Sequence, residues 1–111
     1  MARRPRSYPP TVRHAAELLG LQVRQARVAR RWSLTALAER AGITTNTLRK
    51  VERGDPSVTL GVAFDVATLV GVPLFFDDRA RLASEVARNR ERVTLLPQAV
   101  RTREEDVDDE F

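Results

Sequence analysis

Apolar residues recur along the chain at spacings of three and four, the period of helices that bury one face. Leu19, Val23 and Ala26 predict a first helix that runs from a Thr11 cap to about Arg31, with Trp32 packing over the next two helices. Leu34, Leu37 and Ala38 predict a second helix, capped by Ser33 and ended by Gly42. Ile43 plugs the turn, Thr44 caps a third helix that ends at Gly54, and Leu48 and Val51 form its inward face. Gly54-Asp55-Pro56-Ser57 carries turn residues only. Thr59 then caps a fourth helix with Leu60, Ala63, Phe64, Ala67 and Val70 inward and Gly71 at its end. Pro73 can open a short fifth helix, because the first helical position needs no N–H. Leu74, Phe75 and Phe76 are too many large apolar groups for a solvated turn; they are expected to close the core, with one free to join an interface. Arg79 to about Leu95 predicts a last helix with a Leu82-Val86-Val93 stripe.

These elements predict an all-α fold. A five-helix domain covers residues 11–77, an additional C-terminal helix covers 78–96, and the flanks are a basic arm over 1–10 and an acidic flexible tail over 97–111. The chain of 111 residues has room for one small domain and tails, so association with a partner would help its stability.

The third helix carries the clearest chemistry. At about 100° per residue, Asn46, Arg49, Lys50 and Arg53 share the face opposite Leu48 and Val51, with Thr45 at its leading edge. The sole acid of that helix, Glu52, lies near the buried side. An amide and several cations projecting from one helix suit the major groove, where Asn pairs with adenine and Arg or Lys with guanine.

Charge supports the same direction. The net formal charge of +4 conceals a cationic front and an anionic end. Residues 1–13 hold Arg3, Arg4, Arg6 and Arg13 with no acid, while six acids crowd the stretch from Glu104 to Glu110. A cationic front suits a polyanion, since neutralised phosphates release counterions. A membrane surface fits less well, because no helix pairs a basic face with exposed large aromatics. The absence of cysteine excludes disulfides and thiolate metal sites and fits a reducing, cytoplasmic setting. No apolar run is long enough to span a bilayer, and the basic N-terminus has no apolar stretch behind it to make a secretory signal. His14 is the single histidine and cannot by itself build a metal cluster or a catalytic triad. With no glycine-rich phosphate loop and no nucleophile–base pair, an enzyme is not expected, nor is a cofactor.

The segment from Ser33 to Gly54 resembles the helix-turn-helix of the phage-repressor family, the XRE or Cro/C1-type DNA-binding domains. The matching residues are Leu19-Gly20, Val23-Arg24 and Arg27, then Ser33, Leu37-Ala38, Ala41-Gly42-Ile43-Thr44, Thr47-Leu48 and Val51-Glu52-Arg53-Gly54, and downstream Val66-Ala67 and Val70-Gly71-Val72. The resemblance implies a lambda-repressor-like fold and a double-stranded DNA ligand. It implies base readout by Thr45, Asn46, Arg49 and Lys50, and phosphate contacts by Ser33, Thr35, Thr44, Thr47 and Arg53. It also implies a structural ion pair between Arg27 and Glu52. Leu34 departs from the pattern: the family commonly has a phosphate-bracing Gln there.

The expected function is sequence-specific repression by a homodimer on a pseudo-palindromic operator. By subtraction, Phe75, Phe76, Leu82, Val86 and Val93 are the dimer or partner interface. The run from Val51 through Pro56 and Leu60 to Val72 resembles the HipB-like antitoxins, which implies a HipA-like kinase toxin as a further partner. The alternative is a stand-alone XRE-type regulator without a toxin.

Overall fold

A computed structural model describes residues 7–100. It contains α1 (Pro10–Ala29), α2 (Leu34–Ala41), α3 (Thr45–Glu52), α4 (Leu60–Leu69) and α5 (Arg79–Thr94), and no strand among the described residues. The chain divides into two compact units between Asp77 and Asp78. Most of the basic arm (residues 1–6) and of the acidic tail (101–111) lies outside the described residues.

The first unit is built on α1 to α4. Its core is Val23 of α1, Leu37 and Ala38 of α2, Leu48 and Val51 of α3, and Val66, Ala67 and Val70 with Val72 at the end of α4. Val23, Leu37, Leu48 and Val66 have no exposed surface. The all-α class and the helical stripes are as expected, and Trp32 packs against this core, with the Arg40 guanidinium stacked on its ring at 4.2 Å.

The helix ends are well specified. Ser33 Oγ accepts from the Ala36 N–H at 3.0 Å, and Thr44 Oγ1 accepts from the Thr47 N–H at 3.0 Å. At their C-termini α1 to α4 all close with the same pair of backbone bonds, a 6→1 and a 5→2 contact around one left-handed residue. That residue is Gly42, Gly54 or Gly71 after α2, α3 and α4, but Arg31, at φ 60°, after α1.

Three expectations need correction. First, α1 begins at Pro10, one residue before the expected Thr11 cap, because proline is pre-set for the first helical turn. Second, no short fifth helix forms at Pro73, so the chain has five helices among the described residues rather than six. Phe75 takes φ 70°, and the Phe76 N–H donates to the Leu74 carbonyl at 2.7 Å. This three-residue turn is incompatible with continued helix. Only Leu74 packs on the core; Phe75 is exposed and sets its ring edge-on to Phe64, 6.1 Å between centroids, while Phe76 is half-buried. Third, Leu60 is exposed. Val58 and Val62 on either side of it pack against the core, and Val66 fills the inward role further along α4.

The second unit contains α5. Asp78 caps it, its carboxylate accepting from the Ala80 N–H at 2.9 Å. Leu82 is half-buried and Val86 and Val93 are exposed.

Candidate nucleic-acid interface

The orientation of α3 is fixed from α1. Arg27 reaches from α1 to the last turn of α3, where its Nε and Nη2 donate to the two oxygens of Glu52 at 2.6 and 3.1 Å. Its Nη1 donates to the Trp32 carbonyl at 2.8 Å, so one guanidinium ties α1, the following turn and α3 together. Both side chains are nearly buried, at 11% and 8% exposure. The hydrogen bonds that Arg27 donates to Glu52 hold its pKa above the ordinary value, against the opposing effect of burial. Beside this pair the two helices meet as bare backbone. A Cβ on Gly20 would lie 2.4 Å from the Val51 carbonyl oxygen, and one on Gly54 would lie 2.5 Å from Glu17 Cα.

So held, α3 turns its polar face outward. Asn46, Arg49 and Arg53 are exposed, and Thr45 and Lys50 are half-buried along the same side. Ser33 and Thr35 at the start of α2 and Thr44 before α3 are exposed as well. Ser33 and Thr44 serve as caps, and the Thr44 hydroxyl donates to the half-buried Thr47 hydroxyl at 3.0 Å. Arg53 approaches Asp55 loosely at 3.9 Å. Asp55 accepts from both the hydroxyl and the N–H of Ser57, at 2.7 and 2.9 Å. These bonds, with weaker help from the Arg53 and Lys50 charges, hold its pKa below the ordinary aspartate value. Phe75, Phe76, Leu82, Val86 and Val93, expected at an interface, lie in the two separate units.

Sequence reasoning missed Arg24, which lines a cleft of about 300 Å³ with Arg49 and Arg53. The available signal was its position three residues before Arg27, on the side of α1 that meets α3.

The helix-turn-helix family model matches residues 23–76. The uncharacterized transcriptional regulator in the ATPase CF(0) region of Rhodospirillum rubrum is 33% identical over 79 residues, which cover 69% of this chain and 73% of that protein. This chain belongs to the XRE-type helix-turn-helix transcriptional regulators. The HTH-type transcriptional regulator SutR of Escherichia coli is 36% identical to the XRE-type chain over 58 residues, 52% of this chain and 33% of SutR. No solved structure matches this regulator. As a member of the family it is a DNA-binding protein. No helix among its described residues is long and apolar enough to cross a membrane.

Proposed function

We propose that this regulator is a sequence-specific repressor that binds a pseudo-palindromic operator as a homodimer in the cytoplasm. The observation that supports this reading is the outward face of α3. With its C-cap Arg53 it carries one amide and three cations, and the helix's one acid, Glu52, is occupied by Arg27. Thr45, Asn46, Arg49 and Lys50 read base edges. Ser33, Thr35, Thr44, Thr47 and Arg53 hold phosphates and set the register. Phe75 and Phe76, with Leu82, Val86 and Val93 of α5, supply the apolar surface through which two copies meet, and a two-fold pair matches a palindromic site. Binding is the whole activity, and it needs no cofactor.

The decisive experiment selects duplexes from a random pool with the full chain and then measures Asn46→Ala and Lys50→Ala on the selected site. Each variant should lose ~1–3 kcal/mol of discrimination at particular base pairs. Equal weakening on selected and random DNA would overturn the base-reading assignment. Truncation after Phe76 tests the pairing surface: a monomer with preserved helicity is expected, and a truncated dimer would move the interface elsewhere.

An antitoxin role extends this reading. What supports it is the HipB-like run from Val51 to Val72. Co-purification with the product of a neighbouring kinase-like reading frame is its test. A chain recovered without such a partner is the stand-alone regulator.

A further inference from the structure

Arg24 is neither a base-reading nor a phosphate-holding residue in the proposed complex, yet it faces the same side of the molecule as the recognition helix. It lines a cleft with Arg27, Leu34, Arg49, Glu52 and Arg53. The cleft thus gathers residues from α1, from the first position of α2 and from the last turns of α3. Its chemistry is one-sided. Glu52 is the only acid on its walls, and both carboxylate oxygens are taken by Arg27. Arg24 and Arg49 are exposed and make no ion pair with any described residue. Arg53 has only the 3.9 Å approach to Asp55. Leu34 supplies an apolar wall between these cations.

An opening with unpaired guanidinium groups and one aliphatic side fits a phosphodiester and its sugar. The phosphate oxygens accept from the arginines, and the deoxyribose carbons lie against Leu34. We infer that this cleft is a backbone clamp in which Arg24 of α1, with Arg53, grips one DNA phosphate beside the groove that α3 reads. Arg49, assigned to the base-reading face, also lines the clamp. α1 therefore contributes to DNA binding directly, besides holding α3 in place. The inference rests on the DNA-binding reading and adds a specific contact to it.

The test compares the full chain with Arg24→Ala and Arg24→Gln on a fluorescein-labelled duplex of mixed sequence across a salt series. Arg90→Ala removes the same charge from α5 as a control. Each Arg24 variant should bind about tenfold more weakly, the effect of one charge-assisted hydrogen bond. Each should also flatten the slope of log K against log salt by about 0.9, the value of one phosphate. Arg90→Ala should keep the wild-type slope. The second arm follows the Arg24 side-chain Nε–H signal in the unmutated protein by NMR, so it does not depend on any variant folding. The duplex should shift that signal; inorganic phosphate exchanged for chloride at constant ionic strength should leave it in place.

If the wild type binds the duplex and both Arg24 variants keep its slope, the clamp is wrong and the DNA-binding reading survives. If the wild type binds no duplex, both fall. If millimolar inorganic phosphate saturates the Arg24 signal while DNA does not move it, the cleft takes a free anion and the clamp is overturned.

Discussion

Replacing Arg27 by Met should nearly unfold the DNA-binding unit. The substitution keeps an unbranched apolar stem and removes the guanidinium. It leaves the Glu52 carboxylate 8% exposed with no cation, and it strips the Trp32 carbonyl of its donor. Removing one partner of a buried pair costs ~3–5 kcal/mol. A domain of this size holds only roughly 4–10 kcal/mol in total. At about 4–8 °C per kcal/mol, the midpoint should fall by at least about 12 °C. Far-UV circular dichroism melts and urea titrations of Arg27→Met, Glu52→Leu and the double variant would measure this. The double variant should be about 2 kcal/mol more stable than the two single losses added together, because it buries no unpaired charge. Glu52→Gln retains one acceptor for Arg27 and should cost less than Arg27→Met. An Arg27→Met protein that melts within about 4 °C of wild type would refute the view that this pair fixes α3.

Four further outcomes are expected. Gly20→Ala should destabilise by about 1–3 kcal/mol despite its better helix propensity, because the new Cβ meets backbone oxygens of Val51 and Glu52 at 2.4 and 2.6 Å; a neutral thermal melt would contradict the close approach. Arg31→Gly should stabilise by about 0.5–1 kcal/mol, since φ 60° costs an arginine what glycine avoids; a lowered melting temperature would count against it. Thr44→Ala should cost about 1 kcal/mol in urea titrations through the lost α3 cap; an unchanged midpoint would remove that role. Asp55 should favour the fold more at neutral than at acid pH. Its folded pKa lies below the unfolded one, so the unfolded chain binds more protons between them. The advantage of wild type over Asp55→Asn is therefore complete above the ordinary carboxylate range and is lost as pH falls through the lowered value. A difference that stayed flat across an acid titration would show that the shift is absent.

Much of this architecture is written locally. The caps at Ser33 and Thr44 and the glycine exits at Gly42, Gly54 and Gly71 depend on residues a few positions apart, so a linear reading finds them. The polar face of α3 follows from helical periodicity alone. The misreadings share another origin. Arg31 does a glycine's work without being one, and no neighbour in sequence signals it. Pro73 is a valid helix opener, but the chain turns at Phe75 against Phe64, a ring eleven residues earlier in the sequence. Gly20 reads as an ordinary small residue on α1 until the backbone of α3 is placed against it. Arg24 escapes a linear reading for the same reason: its cleft exists only where three helices converge.

The backbone contact between α1 and α3 bears on how such a protein acquires new targets. Because Gly20 and Gly54 let main chain rest on main chain, the tilt of α3 is set by atoms that every residue type shares. The exposed side chains of Asn46 and Arg49, and the half-buried ones of Thr45 and Lys50, take no part in that seating. On the base-reading role proposed for them, exchanging them alters which bases are preferred while the helix keeps its aim. On that proposal specificity and foldability sit on opposite sides of one eight-residue helix, and the first can drift across many operators without the second having to be solved again.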